Sequence, residues 1–278
     1  MLTKVWRYLW VIPGIVVSTI LCGTVSQIVA MFDQSSRAQI RVARSWARSL
    51  LWIVGAKVEV EGLVNVKGVQ QCVWASNHVS YMDTPVMLGY IPVQFFFLAK
   101  SELFKIPFMG WHLERAGHVS VPIEDPKASL RTLAQAAKLV TERNVSVLFF
   151  PEGGRSESGE LQEFKDGAAY IAIKAQVPLV PVALVGIRDI LPMHTLDFKR
   201  GTVKLRFGKP IPTAGLTTQA RQEITVAARA QIVDMLKGLG AEVRKVRAPF
   251  DPEGGAYGQH NHDLDHRHGP LRPERHGD

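Results

Sequence analysis

The sequence predicts an α/β fold: a mixed, largely parallel sheet flanked by helices, with an N-terminal membrane-associated helical segment. Two observations carry this. Short apolar runs of strand character recur between Gly55 and Lys209 and alternate with helical stretches, the pattern of a sheet with a substantial parallel part. Ahead of them, no charged residue stands between Arg7 and Asp33.

That uncharged run is 25 residues long, enough for a helix to cross about 30 Å of hydrocarbon. The basic start, Lys4 and Arg7, suits a signal peptide, but the apolar run exceeds a typical signal core. Membrane insertion is the favoured reading. Pro13 and Gly14 allow a break, so a buried hairpin or an in-plane helix stays open beside a spanning one. Next, Arg37, Arg41, Arg44 and Arg48 recur at spacings of four, three and four, one stripe of a helix. Ile40, Trp46, Leu50, Leu51 and Ile53 supply apolar surface alongside. A stripe of one sign beside an apolar anchor is expected to meet anionic lipid headgroups. By the positive-inside rule it lies on the cytoplasmic side.

The strand-like runs are KVEVEG, QCVWAS, QFFFLA, HVSVP, VSVLFFP, PLVPVAL and VKLRFG. Helices are expected over Lys127–Arg143, with Leu130, Leu133, Ala134, Ala137 and Val140 on one face, over Phe164–Ala175, and over Thr217–Leu239 before Gly240. The chain thus divides into residues 1–54, membrane-associated helices; 55–245, the α/β domain; and 246–278, a tail. The tail is rich in Pro, Gly and His, has two leucines, and cannot bury enough apolar surface to fold alone. Its histidines, His260, His262, His266, His268 and His276, read as a solvated tail with adventitious metal affinity.

Lys+Arg 33 against Asp+Glu 25 gives a net charge of +8, which suits nucleic acid, anionic lipid or a phosphorylated substrate. Composition does not choose among these, but the placement of the arginine stripe beside the apolar N-terminus favours lipid, and no nucleic-acid partner is expected. Cys22 and Cys72 are too few and too far apart for a disulfide framework or a zinc cluster. There is no Walker loop and no Gly-x-Gly-x-x-Gly fingerprint, and GRSES around Ser156 fails as a nucleophile elbow.

Two clusters carry chemistry. In ASNHVSYMDTP, His78 stands five residues before Asp83. That spacing is wrong for one helix face and right for a tight strand-to-helix loop. If Asp83 begins the helix, Val79–Met82 can fold back and bring the carboxylate to the imidazole, leaving the other ring nitrogen free as a base. Asp83 before Thr84-Pro85 also reads as a helix N-cap. In LFFPEGGRSESG, Glu152, Gly153, Gly154 and Arg155 follow an apolar strand, where α/β sheets bind ligands. The glycines let backbone N–H groups approach an anion, and Arg155 can fork two phosphate oxygens. A plain surface turn is the bland alternative.

On these residues the chain resembles the glycerolipid acyltransferases, particularly bacterial 1-acylglycerol-3-phosphate acyltransferases, over about Val58–Pro212. The family's Asn-His-x-x-x-x-Asp stands as Asn77 to Asp83. Its Phe-Pro-Glu-Gly-Thr-Arg-Ser stands as Phe150 to Ser156, with Gly154 in place of Thr. Its Val-Pro-x-Val-Pro-Val stands as Val177 to Val182. A Lys-x-Glu-Leu…Pro…Gly-Trp block stands at Lys100, Glu102, Leu103, Pro107, Gly110 and Trp111. One departure concerns the motif Gly-x-Ile-Phe-Ile-Asp-Arg, whose arginine is thought to bind the acceptor's phosphate. Here Pro122 and Ile123 hold its Asp and Arg positions, so the phosphate contact falls to Arg155, Lys100, Lys127 or Arg131, or the acceptor differs.

The resemblance implies a membrane-bound acyltransferase. His78 and Asp83 would be catalytic, and Asn77, Lys100, Glu152, Gly153, Gly154 and Arg155 substrate-binding. The donor would be acyl-CoA or acyl-carrier protein and the acceptor lysophosphatidic acid, giving phosphatidic acid, with no metal or organic cofactor needed. Other acceptors (glycerol 3-phosphate, a lyso-aminolipid, another lysophospholipid) are the near alternatives. A lipid hydrolase and a non-catalytic lipid binder are the distant ones.

Overall fold

A computed structural model describes residues 5–32, 36–106, 109–121 and 126–241. The His-rich tail, Pro107, Pro122 and Ile123 lie outside the described residues. A π-helical turn, Arg7–Val11, leads into helix α1, Ile12–Phe32, and α2 follows as Ser36–Ile53. The π turn lies just ahead of Pro13, whose missing N–H interrupts the regular ladder. Pro13 and Gly14 therefore do not fold the segment into a hairpin.

The α/β part then runs β1 Ala56–Glu61, β2 Val73–Ser76, α3 Asp83–Tyr90, β3 Phe95–Lys100, α4 Ser101–Phe104, α5 Met109–Arg115, β4 Val119–Val121, α6 Pro126–Arg143, β5 Ser146–Phe149, α7 Gly167–Ala175, β6 Leu179–Val185, α8 Ile187–Ile190, β7 Gly201–Phe207 and α9 Arg221–Gly238. All seven apolar runs became strands of one sheet, in the order β1-β7-β6-β2-β5-β3-β4. Every neighbouring pair is parallel except β6–β7.

Alternation along the strands fills two cores. From β2, Trp74 points to one face, where it meets Met87 and Ile91 around α3 and Leu50 and Leu51 of α2. Val73 and Ala75 point to the other, against Ala137 and Val140 of α6, Ile171 of α7 and Ile224 of α9. Each fully buried Val, Leu, Ile or Met among them is worth about 1.5–3 kcal/mol. Helix α2 is thus a sheet-covering helix, with Ala47, Leu50 and Leu51 buried in the core.

This corrects the arginine stripe. Arg44 donates to Ile91 O at 2.7 Å and Val93 O at 2.8 Å, and Arg48 to Gly89 O at 3.0 Å. The Gly89 and Ile91 carbonyls end α3, where cations are favoured by the helix dipole, and Val93 lies in the turn beyond it. The apolar face of α2 drew its arginine stripe onto the protein, because helix α3 leaves its last carbonyls without partners. Only Arg37 and Arg41 remain exposed and without a protein partner among the described residues.

Helix α1 is inside out. Its large apolar side chains, Val16, Val17, Ile20, Leu21, Ile28, Met31 and Phe32, are exposed, and its one buried residue is Ser26. Ser26 Oγ bonds Gln39 Oε1 at 2.5 Å and lies 2.9 Å from His112 Nδ1 in α5. At the other end Trp10 donates to Ile53 O at 3.1 Å and Arg7 pairs with Asp197. The π turn ahead of α1 is thus tied to α2 and to Asp197, and the C-terminal half of α1 to α2 and α5.

Candidate active site

The site is assembled by strand register. Strands β2 and β5 are parallel with Val73 opposite Val147 and Ala75 opposite Phe149. Carried forward at the same offset, that register puts His78 beside Glu152. The two sequence clusters therefore meet at the carboxyl ends of adjacent central strands.

Past Ser76 the chain turns sharply, and Asp83 is the first residue of α3. The carboxylate reaches back over the turn. Its Oδ2 accepts from His78 Nδ1 at 2.7 Å, Val79 N at 2.7 Å and Ser80 N at 2.9 Å. Asp83 is fully buried, while the His78 side chain keeps 11 % exposure. The Nδ1 proton is directed at the carboxylate, so the tautomer leaves Nε2 as the basic nitrogen. Phe150 stacks on the imidazole at 3.9 Å between centroids and 13° between planes. The N-cap reading of Asp83 gives way: Met82 is the cap, and the carboxylate serves the loop before the helix.

Glu152 and Asn77, expected on the substrate, have backbone partners. Glu152 Oε1 accepts the N–H of His78 at 2.6 Å, and Oε2 the N–H of Gln162 at 2.9 Å. Burial pushes its carboxyl up to about 7, against the lowering effect of those two donors. Asn77 exchanges two 2.9 Å bonds with the backbone of Leu184 in β6. The carbonyl of His78 accepts from Ser156 N at 2.8 Å. Both peptide groups flanking the histidine Cα are thus clamped by the 150–156 loop. Ser156, Gln162 and Phe150 are positioning contacts that sequence reasoning missed. Only the β2–β5 register identifies them.

Gly153 has φ +77°, and a Cβ there would come within 2.9 Å of Lys165 Nζ; at Gly154 a Cβ meets nothing within 4 Å. Both are exposed at the rim. Arg155 donates from Nε to Ser80 O at 3.3 Å, and its guanidinium lies 4.5 Å over the Tyr81 ring. No carboxylate pairs with it among the described residues, leaving its terminal nitrogens for an anion. Arg188, which sequence reasoning passed over, bonds Ser156 O at 3.4 Å and Glu157 O, holding the same loop. Lys100 ends β3, and its side chain, like that of Lys127, lies outside the described residues. Arg131 is exposed on α6.

An "Acyltransferase" family model matches residues 57–185, the stretch from β1 to the end of β6. Residues 57–185 thus form a domain of the acyltransferase family. Among relatives, a chloroplastic 1-acyl-sn-glycerol-3-phosphate acyltransferase of Brassica napus is 34 % identical over 70 % of this chain and 57 % of its own length. The human 1-acyl-sn-glycerol-3-phosphate acyltransferase beta is 29 % identical over 71 % of this chain and 73 % of its own. The chain spans about half the length of the plant relatives it matches. In structure it resembles the 1-acyl-sn-glycerophosphate (LPA) acyltransferase of Thermotoga maritima, with TM-score 0.73 and 24 % identity, over 88 % of this chain and 97 % of that one. At this identity the likeness shows a shared fold. A second model, "UreE urease accessory protein, C-terminal domain", matches residues 216–277. That stretch starts ahead of α9, which packs on this sheet, and its remainder is the His-rich tail.

Proposed function

We propose that the chain transfers a fatty acyl group from a thioester donor to the sn-2 hydroxyl of 1-acylglycerol 3-phosphate. The observation that carries it is the 2.7 Å contact between His78 Nδ1 and the buried Asp83 carboxylate, which leaves Nε2 available at a partly open position. Nε2 takes the proton of the acceptor hydroxyl as its oxygen attacks the thioester carbonyl. The tetrahedral intermediate collapses with loss of the thiolate, and the imidazolium returns the proton to that sulfur. Asp83 stabilises the imidazolium, and the clamp from Glu152 and Ser156 keeps the ring aimed. Two relatives named as acting on 1-acyl-sn-glycerol 3-phosphate support the acceptor. Arg155, with unpaired terminal nitrogens, is the proposed phosphate ligand. Acyl-CoA and acyl-carrier protein both meet the donor's chemical need.

Residues 1–54 form the membrane module in this reading, with the site at headgroup level on the cytoplasmic side of the inner membrane. Helix α1 places apolar side chains outward and its polar residue inward, the arrangement of a lipid-facing helix. With the turn before it tied to Asp197 and its C-terminal half to α5, it lies in the plane of one leaflet. Arg37 and Arg41 are the arginines left to meet anionic headgroups.

The test is an acceptor panel: purified protein in detergent, a thioester donor, and mass spectrometry of the products. Phosphatidic acid formed only with the lysophosphatidic acceptor supports the assignment. Turnover confined to glycerol 3-phosphate or to an acceptor without a phosphomonoester overturns it.

A further inference from the structure

We propose that the exposed apolar side chains Leu103, Ile106 and Trp111, on and between α4 and α5, form a second membrane contact, carried by the α/β domain itself, which docks on the lipid bilayer beside α1. The proposal rests on the membrane reading above and adds a surface that reading does not contain. Three large apolar side chains crowd this short stretch and stay exposed: Leu103 at 37 %, Ile106 at 44 % and Trp111 at 53 %. Isolated exposed apolar residues are ordinary, but a contiguous set beside a larger apolar face marks an interaction surface.

The larger face is α1. Helix α5 is docked on it through the 2.9 Å contact between His112 Nδ1 and Ser26 Oγ. Beyond Ser26, the same end of α1 exposes Ile28, Met31 and Phe32, the last two at 77 % and 85 %. Exposed apolar side chains therefore stand on two elements that pack on each other. His118, whose Nδ1 accepts Phe97 N–H at 2.9 Å, anchors the base of α5 to β3. Burial, reinforced by nearby His112, lowers His118 to about 3, so this joint carries no charge.

A bilayer fits this surface better than a protein partner does. The set includes a tryptophan, the residue enriched at membrane–water interfaces. Within the segment Lys105 and Arg115 balance Glu102 and Glu114, so its contact works by apolar insertion and not by headgroup charge. The location also matters. The segment leaves the carboxyl end of β3, and β3 lies beside β5, with Phe97 opposite Leu148. It therefore stands at the same end of the sheet as His78. Two membrane contacts flanking that end would let a lysolipid keep its acyl chain in the leaflet while its head reaches the base.

The test places an environment-sensitive probe on Ile106→Cys in a Cys22→Ser background, the buried Cys72 thiol being inert. Val226→Cys, exposed on α9, is the control. Neutral phosphatidylcholine vesicles should shift the Ile106 probe to a membrane-like emission, with quenching by bromines on the acyl chains, and leave the Val226 probe unchanged. Ile106→Glu should lower vesicle partition about tenfold, the scale of one apolar side chain's transfer, with no dependence on salt. A protein that floats with the vesicles while its Ile106 probe stays water-like overturns this proposal and leaves α1 as the sole anchor. A protein that does not float overturns the membrane reading as well.

Discussion

At the residue scale, the account turns on one nitrogen. His78→Ala should cut turnover by about 10²–10⁴ while circular dichroism and detergent-phase behaviour stay unchanged. A folded His78→Ala protein with near-normal turnover would remove the base assignment. Glu152 gives a prediction in pH. Its carboxyl stands at about 7 in the fold, against an ordinary value near 4.3, so the folded state holds a proton the unfolded state has lost. Stability from this group is full below the ordinary value and is lost as pH rises through about 7. Thermal melts at pH 5 and pH 8 should show a larger drop for the parent protein than for Glu152→Gln. An equal drop in both means another group sets the slope. At Gly154, Thr should fit, because a Cβ meets open space. The expected gain is about 0.4–1 kcal/mol by restricting the unfolded chain, read from denaturant midpoints, and any loss would show that the glycine is required.

The residues of the site were legible in sequence to different depths. His78, Asp83 and Arg155 stood out because they are chemistry-bearing side chains after strand-like runs. Glu152 was seen, but its partners were not. They are backbone N–H groups supplied by the β2–β5 register, and register is a tertiary property that no local pattern encodes. Asn77 shows the same limit, since its partner in β6 lies more than a hundred residues on.

At the element scale, α2 is where local reading and fold diverge. A stripe of arginines beside an apolar face describes a membrane-surface helix and a domain-clamping helix equally well. What decided it is the free C-terminal end of α3, whose carbonyls take Arg44 and Arg48. Arg44→Gln should therefore cost about 1.5–3 kcal/mol of stability, the scale of hydrogen bonds to a charged group, measured by chemical denaturation in detergent. Arg37→Gln with Arg41→Gln should instead leave stability alone and weaken flotation on anionic vesicles more than on neutral ones. The reverse assignment, with Arg44 governing anionic-lipid binding and not stability, would contradict the hydrogen bonds described. The strands, by contrast, were readable because each is a short run bounded by turn residues: β2, β5 and β6 are apolar and buried on both faces, while β7 alternates buried and partly exposed positions. The start of α7 was expected at Phe164 and lies at Gly167, because Lys165 N is held by Pro151 O at 2.8 Å in the site loop.

At the scale of the whole molecule, the sheet brings two loops together at the carboxyl ends of β2 and β5, and the proposed role of the outward-facing apolar helix α1 is to lay that end of the sheet against a leaflet. The central claim is that the His78–Asp83 pair drives acyl transfer to a lysolipid and not thioester hydrolysis. It is tested by free-thiol release from acyl-CoA, with and without 1-acylglycerol 3-phosphate, in detergent. Thiol release that requires the acceptor, matches phosphatidic acid formed mole for mole, and disappears in His78→Ala is the predicted result. Thiol release at the same rate without acceptor would contradict the account and make the protein a hydrolase.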